Sequence, residues 1–395
     1  MEASGTSTRG PRISATLREG ETVTPLELFF DLVFVLAITQ CTQLMADEPT
    51  WEGIAKGLLV LAVLWWSWIG YAWLTSVVDP EEGAVRLVIF AAMAGLLVAS
   101  ICVPGAFGDS ALIFAVAYAV VRGAHIALFW IASEDDDDLR RSTSGLGIST
   151  AIGCGVLVGA SFADGAVQGA LWCLAIAIDF GVPYFFGARG WKLVPEHFAE
   201  RHGLIFIIAL GESIVAIGAG VTGEITAGVV AASVIGIALA AAMWWAYFDV
   251  VALVATRRLA SITDRQERNE MARDSYSYLH LPMVAGIVLV ALGMKKTIGH
   301  VDDPLKIETA TALIAGFCMY LLAHVAFRWR NVHSINRRRL FLGIALLALI
   351  PVGVELPALA TVSILTAIAC ALIAYEVIRY AEHRDRVRHE PTEAH

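Results

Sequence analysis

Two acidic residues, Glu27 and Asp31, lie one helical turn apart in an otherwise apolar segment near the start of the chain. Thr24 stands three residues before Glu27 and Pro25 follows it, which is typical of a capping box with proline at the first helical position. A carboxylate inside an apolar helix is costly in lipid, so Asp31 must face protein, water or an ion. We predict that Asp31 organises helices or handles ions, and that Glu27 caps its helix or concentrates cations at a mouth.

A third acid, Glu212, falls in the middle of a later apolar segment, beside Ser213. Such a carboxyl group is either protonated or hydrogen-bonded across helices, or it handles protons or cations near the membrane midplane. Gln40 occupies the corresponding place in the first half of the chain. Leu36, one turn before Gln40, is among the aliphatic residues that we expect to form a dry gate.

A buried charge network is predicted around Arg122, which lies mid-helix in another apolar segment. An unpaired guanidinium is implausible there, so we predict an ion pair with Asp179 or Glu212 that holds helices together. His125 and His324 occupy matching positions in the two halves and are expected to hydrogen-bond between helices. The predicted network comprises Arg122, Asp179, His125, His324 and Asp249.

Four ionisable residues crowd the start of the segment that carries Glu212: His197, Glu200, Arg201 and His202. Residues three or four apart on a helix are neighbours, so His197 is expected to approach Glu200 and Arg201. We interpret this group as a charge network that closes the inner mouth of a path, in preference to a metal site.

The composition is that of a membrane protein. Of the 395 residues, 57% are hydrophobic and only 16% are charged, whereas soluble domains average about 25% charged residues. Twelve segments reach the ~20 apolar residues that a spanning helix needs. They lie near 25–45, 52–77, 84–105, 110–133, 143–162, 166–188, 195–219, 225–254, 272–296, 306–329, 338–355 and 358–381. The last pair carries Pro351, Glu355 and Pro357 close together, where a re-entrant break is conceivable.

The basic residues predict the orientation of these helices. With both termini on the same side, 23 Lys and Arg residues fall on that side and four on the other, while Arg122 lies within a helix. The positive-inside rule therefore predicts cytoplasmic termini. The polar segments 1–23 and 383–395 are expected to be disordered cytoplasmic tails.

Several classes of function have no support in the sequence. The six cysteines form no CxxC pair and lie in apolar segments, so we expect buried free thiols and neither a zinc site nor a disulfide framework. No basic, aromatic-interleaved patch indicates nucleic-acid binding. Nucleotide-binding, GxSxG and HExxH motifs are absent from the sequence, so no cofactor is predicted.

The two halves of the chain carry similar short motifs in the same order. The matched pairs are 33–40 with 205–212, Trp65-Trp66 with Trp244-Trp245, and 124–130 with 323–329. An even number of helices in each copy makes the copies parallel, related by an axis along the membrane normal. We therefore predict an all-α integral membrane protein of about twelve helices, built as two parallel six-helix repeats at 24–190 and 191–382.

Three motifs carry a resemblance to a known family: Pro25-Leu-Glu-Leu-Phe-Phe-Asp-Leu-Val-Phe-Val35, His197-Phe-Ala-Glu-Arg-His-Gly-Leu204 and Ala209-Leu-Gly-Glu-Ser213. They resemble the bacterial low-temperature-requirement A (LtrA) family, and the resemblance covers about residues 22–380. It implies a multi-pass protein of the bacterial inner membrane and leaves the chemistry open.

The segment from Phe29 to Thr39 is also similar to the Phe-Ser-Asp signature of a family of potassium-permeable channels. Those channels have six helices per repeat, and their first helices line the pore. This chain has Phe30 in place of the serine, lacks the upstream arginine and has Gly203 where Asp31 falls in the second half. The similarity thus favours a pore without implying potassium selectivity. By analogy, a four-repeat pore would require a homodimer.

These observations favour a channel or secondary transporter that moves a small cation, or protons with a solute, across the lipid bilayer between the two repeats. The residues expected to serve the path are Glu27, Asp31, Leu36, Gln40, Glu212 and Ser213. Two alternatives stay open. One is an intramembrane enzyme or redox protein that uses Glu212, Arg122 and the histidines, and the other is a non-transporting sensor or assembly factor in envelope or cold stress.

Overall fold

The structure, a computed structural model, describes residues 22–81, 83–185, 190–221 and 223–389. Within these ranges the regular elements are helical, and the β-type pairing is one isolated bridge between Pro304 and Pro357. Most of segment 1–23 and the last residues of 383–395, both predicted to be tails, lie outside the described residues.

Sixteen α-helices are described. They are α1 (Pro25–Asp47), α2 (Trp51–Thr75), α3 (Gly83–Cys102), α4 (Ala111–Ala132), α5 (Asp137–Ala160), α6 (Gly165–Phe185), α7 (Pro195–Gly220), α8 (Ala227–Phe248), α9 (Val251–Ser261), α10 (Arg265–Met271), α11 (His280–Gly299), α12 (Ile307–Val332), α13 (Arg337–Ala345), α14 (Ile350–Gly353), α15 (Ala358–Arg379) and α16 (Ala381–His389). Eleven helical stretches in the described part of the chain are long and apolar enough to cross a membrane. The prediction of an all-α polytopic membrane protein is confirmed.

The predicted eleventh helix, 338–355, is the segment that does not form a continuous span. It consists of α13, a 3-10 turn at Leu346–Leu349 and the short α14. Pro351 has no N–H to donate and its ring clashes with the carbonyl group four residues earlier, so a regular α-helix cannot pass through this position. The chain therefore changes helical geometry just before the proline.

Helices α2 and α11 form the centre of the bundle, since 78% of the residues in each spanning window are buried, against 22% for α6. Helix α1 packs on α2 and α7, and α7 packs on α11. The first helices of the two predicted repeats, α1 and α7, thus contact each other at the middle of the molecule. This contact brings together acidic and basic side chains that are far apart in sequence.

A π-helical segment, Ala272–Tyr278, joins α10 to α11 and is unusual in its length. It presents backbone and side-chain acceptors to α2. Trp65 Nε1 donates to the Ser277 carbonyl oxygen at 2.9 Å, and Trp73 Nε1 donates to Ser277 Oγ at 3.0 Å. Trp65 and Trp73 therefore fix α2 to this segment.

The C-terminal segment differs from the expected disordered tail, because residues 381–389 form α16. Arg384 and Arg388 of α16 both form ion pairs with Asp249, which caps the end of α8. This interaction supplies a reason for the polar helix to order against the bundle.

Candidate functional site

A buried ionic cluster lies where the first turns of α1 and α7 meet. Glu27 completes the capping box with Thr24, as predicted, through Thr24 N and Oγ1 donating to Oε2 at 2.9 and 3.1 Å. Its other oxygen, Oε1, faces His197 Nε2 at 2.9 Å and accepts from Arg201 Nη1 at 3.0 Å. Glu27 is 1% exposed, and His197 and Arg201 are fully buried. Glu27 therefore caps its helix and joins the two halves of the chain.

Asp31 extends the cluster by one helical turn. Its Oδ1 accepts from Arg201 Nη2 at 2.7 Å and from Trp68 Nε1 at 2.8 Å. Arg201 Nη1 also donates to Thr75 Oγ1 at 3.2 Å, so one guanidinium bridges Glu27, Asp31 and α2. Hydrogen bonds of this kind are strong in a region of low dielectric constant, and the loss of one partner leaves a buried charge incompletely compensated.

Two members of the predicted inner-mouth network point elsewhere. Glu200 is exposed and accepts a hydrogen bond from the Val23 backbone N–H at 3.1 Å. His202 Nδ1 donates to the Phe198 carbonyl at 2.8 Å, and its ring lies 5.0 Å from that of Trp68 and 5.2 Å from that of His280. The network is therefore built from His197 and Arg201 with the acids of α1, and His202 belongs to an adjacent aromatic cluster.

A second polar cluster lies in the α1–α7 contact nearer the C-terminal ends of the two helices. Thr39 Oγ1 donates to Glu212 Oε2 at 2.6 Å, and Glu212 is 3% exposed. One turn further along α1, Gln43 hydrogen-bonds to Lys295 of α11 and donates to Asp47 Oδ1 at 2.5 Å. These groups form a row of polar side chains that continues toward the C-terminal end of α1.

The other predicted residues near Glu212 differ in their surroundings. Ser213 is buried, and its hydroxyl oxygen has no hydrogen-bond partner among the described residues. Gln40 is half-buried on α1. Gln40 and Glu212 therefore occupy matching positions in the sequence but differ in burial, since Glu212 is buried and Gln40 is half-buried.

An apolar layer separates the two polar clusters. Phe34, Ala37 and Ile38 of α1 are fully buried or nearly so and pack against α2, Ile205 and α11. The space between them is about 10 Å³, which is at the lower limit for one water molecule. Asp31 and Thr39 are eight residues apart, a rise of about 12 Å along a helix.

The predicted dry gate at Leu36 falls outside this layer. Leu36 is half-buried on another face of α1, whereas the buried apolar face carries Phe34 and Ile38. The apolar layer between the two clusters is therefore formed by Phe34, Ala37 and Ile38 and does not include Leu36.

Arg122 pairs with Asp179 and not with Glu212, which lies in the other half of the chain. Nη2 of Arg122 donates to Asp179 Oδ1 at 3.2 Å and to Thr150 Oγ1 at 2.8 Å, while Tyr118 donates to Asp179 Oδ2 at 3.1 Å. His125 lies nearby among aromatic rings, 5.5 Å from that of Tyr71. This cluster joins α4, α5 and α6.

The remaining members of the predicted buried charge network form two other clusters. His324 Nδ1 faces Arg339 Nη1 at 3.2 Å, and Arg339 Nη2 donates to Glu376 Oε2 at 2.7 Å. Asp249 pairs with the arginines of α16. The five residues predicted to form one network therefore belong to three separate clusters, because they lie on helices that do not meet at one point.

Sequence reasoning missed Arg339 and Glu376 as a buried pair. A signal was present, since Asp179 and Glu376 both lie in the last spanning helix of their half. In addition, both arginines donate to a backbone carbonyl at or next to a Trp-Trp motif. Arg122 donates to the carbonyl oxygen of Trp66 at 3.4 Å, and Arg339 donates to that of Ala246, which follows Trp245, at 3.3 Å.

The residues described hold no group of three or more His, Cys, Asp and Glu side chains placed to bind a metal ion. The cysteines are free, and four are buried, while Cys173 and Cys370 are exposed on the surface of the isolated chain. The polar clusters thus consist of hydrogen-bonding and proton-carrying groups supplied by the chain itself.

The chain matches a family model described as "Bacterial low temperature requirement A protein (LtrA)" over residues 22–374. It is 30% identical over 313 residues to a protein of Rhizobium meliloti (strain 1021) described as "Uncharacterized protein RA0937". That alignment covers 75% of this chain and 74% of the relative. No solved structure matches the chain.

Proposed function

Because the chain belongs to the bacterial low temperature requirement A (LtrA) family of polytopic membrane proteins, we propose that it moves a small cation, or protons coupled to a solute, across the bacterial inner membrane. The observation that carries this proposal is the α1–α7 contact, with one polar cluster on either side of an apolar layer. Ionisable side chains within membrane helices characteristically mark ion or proton pathways.

The arrangement of the two clusters fits a path in its closed state. Asp31 and Glu212 each lie between the two halves, and Phe34 and Ile38 fill the space that separates them. A tightly packed apolar constriction blocks ions because it cannot replace their water of hydration. His197 stands against Glu27 at the inner end, where an imidazole can take up or release a proton.

One face of α1 supports a second copy of the chain as a partner. Leu36, Thr39, Gln40 and Gln43 follow helical spacing and are all half-buried in the single chain. The Gln40 amide left against lipid would be costly, so we propose that a homodimer covers this face. Leu36 would then pack against the partner subunit.

The orientation and the repeats belong to the same proposal. Each half also has a buried Arg–acid pair that holds its last spanning helix, Arg122–Asp179 in the first half and Arg339–Glu376 in the second, although Arg122 lies in the fourth predicted helix of its half and Arg339 in the fifth. The distribution of basic residues favours a cytoplasmic position for the ends of α1 and α7 that carry Glu27 and Arg201. In this orientation Glu212 faces the outer half of the path.

Flux in proteoliposomes tests the proposal. Purified wild type should carry K⁺, Na⁺ or H⁺ under an imposed gradient, and Glu212→Gln and Asp31→Asn should each reduce the rate at least tenfold. Glu224→Gln is a matched control, because Glu224 is an exposed acid in the connection between α7 and α8. Folding of every variant is checked by monodisperse elution in detergent.

Absence of flux for all three ions in folded wild type would refute transport of a small cation and favour the alternatives of an intramembrane enzyme or a sensor. Equal flux in all variants would retain transport but remove the α1–α7 contact as its path. Chemical cross-linking in lipid that yields monomers alone would refute the homodimer.

A further inference from the structure

A cavity of about 60 Å³ lies between helices of the first half of the molecule and the π-helical segment of the second half, away from the α1–α7 contact. Helices α2, α4, α5 and α6 enclose it together with the π-helical segment and the connection before α7. Its aromatic walls are Trp66, Trp73, Phe129 and Trp191. We call it the tryptophan cavity. Its volume corresponds to about four to six water molecules, or to one six-membered ring.

His125 and Arg122 supply the polar groups of this cavity. His125 is 1% exposed, and neither of its ring nitrogens has a hydrogen bond of normal geometry within the described residues. The imidazole packs against the backbone of Gly70, where an added Cβ would lie 2.9 Å from Nε2. Arg122 Nε likewise lacks a partner there, although the Nη atoms are occupied. A buried donor without an acceptor is destabilising, so an acceptor from a ligand would stabilise the site.

Trp191 is held in the wall by a specific turn. Gly190 has a φ of 76°, and a Cβ at that position would lie 2.6 Å from the Asp138 carbonyl oxygen. The Trp191 carbonyl accepts from Asn269 Nδ2 at 2.6 Å, and Lys192 forms an ion pair with Asp136 at 2.8 Å. These contacts from both sides place the indole in the wall, with Phe129 edge-on at 5.0 Å.

The lining selects the chemistry of the occupant. The residues that line the cavity include the cations Arg122 and Arg273 and no acidic side chain. Each arginine is paired with its own carboxylate, Asp179 or Asp274, so the site offers hydrogen-bond donors with little excess charge. Flat aromatic walls favour a flat ring by offset or edge-to-face packing. A neutral acceptor on such a ring fits better than a carboxylate.

We propose that the tryptophan cavity binds a lipid-soluble molecule with a flat apolar ring that carries carbonyl oxygens, as in the headgroup of a quinone. His125 donates a hydrogen bond to one carbonyl, and the rings of Trp66 and Trp191 enclose the headgroup. The rim at Leu146 and Pro183 is half-buried and apolar, and an alkyl tail leaves there toward the acyl chains.

Tryptophan fluorescence tests this proposal on the full chain in detergent. Three of the 11 tryptophans line the cavity, so decylubiquinone should quench part of the emission in a saturable way. His125→Leu should raise the half-saturating concentration roughly tenfold, the value of one lost hydrogen bond. Leu146→Trp should abolish saturable quenching by filling the cavity while every donor stays in place.

Leu87→Trp is the control for an added indole, because Leu87 is 68% exposed on α3; it should behave like wild type. Two further probes separate ring from tail: n-decylbenzene has no carbonyl, and decanoate has no ring. Neither should compete with decylubiquinone. Competition by either probe, or equal quenching in wild type and Leu146→Trp, would overturn the proposal. If His125→Leu does not fold, the comparison of Leu146→Trp with Leu87→Trp decides the question.

Discussion

Replacing Arg201 by glutamine should destabilise the protein more than any single substitution on its surface. Arg201 donates to Glu27 at 3.0 Å and to Asp31 at 2.7 Å, and all three side chains are buried. Glutamine is shorter and carries no charge, so it cannot reach or neutralise both carboxylates. Removing one partner from a buried ion pair costs about 3–5 kcal/mol, and we expect a loss in that range.

The assay is equilibrium unfolding in mixed micelles, with native tryptophan fluorescence as the probe. Arg141→Gln is the matched control, since the Arg141 side chain is 80% exposed beside Asp138, and it should leave the transition unchanged. Adding Asp31→Asn to Arg201→Gln should restore part of the loss, because the double variant buries one unpaired carboxylate fewer. The coupling free energy expected between the two substitutions, at residues that share a hydrogen bond, is roughly 1–3 kcal/mol.

Two results would contradict this reasoning. If Arg201→Gln unfolds together with wild type, the guanidinium does not hold the carboxylates. If the effects of Arg201→Gln and Asp31→Asn simply add, the hydrogen bond between Arg201 and Asp31 does not contribute to stability. Either result would also weaken the proposed path, whose inner end depends on this cluster.

Asp249→Asn should release α16, because Asp249 forms ion pairs with Arg384 and Arg388. Trypsin should then cleave after Arg384 at least fivefold faster than in wild type. Asp164→Asn is the control and should leave the cleavage rate unchanged. The Asp136 carboxylate, outside the spanning segments, should stabilise the fold in a pH-dependent way. A hydrogen bond from Lys192 lowers its pKa below the ordinary value of 3.8, so its contribution is present above pH ~4 and is lost as the pH falls below that value. Asparagine caps helices equally well, so Asp136→Asn should cost less than about 1 kcal/mol at pH 7 and less at pH 3 than at pH 7. A larger deficit at pH 3 than at pH 7 would refute the sign.

Sequence alone was sufficient for the features that depend on one segment. The capping box at Thr24 and Glu27 depends on residues three apart, and it is present as predicted. The spanning helices follow from apolar length, which the lipid environment imposes directly. The Arg122–Asp179 pair was one of two options, since a buried guanidinium needs an acid and few acids lie within the apolar segments.

Contacts between halves required the structure. His197 and Arg201 are four residues apart and share a helix face, whereas Glu200 lies about 60° to the other side of His197 and faces the exposed surface. This periodicity separates Arg201 from Glu200, but it cannot identify Asp31, 170 residues away, as the partner. The composition of the buried apolar layer required the structure for the same reason: the apolar run of α1 contains Leu36 as well as Phe34, and the neighbours of α1 decide which face is buried.

The two polar clusters differ in how firmly they tie α1 to α7. Arg201 holds Glu27 and Asp31, which are one turn apart, so sliding α1 along α7 would break both ion pairs together. Nearer the C-terminal end of α1, the Thr39–Glu212 hydrogen bond connects the helices, a contact worth about 1.5–3 kcal/mol for a charged acceptor and less for a neutral one. If the proposed path opens, we therefore expect the outer half of α1 to move away from Glu212 while its inner half stays fixed by Arg201. Thr39→Val, which removes that hydrogen bond at nearly constant volume, should increase flux, and reduced flux would place the opening motion elsewhere.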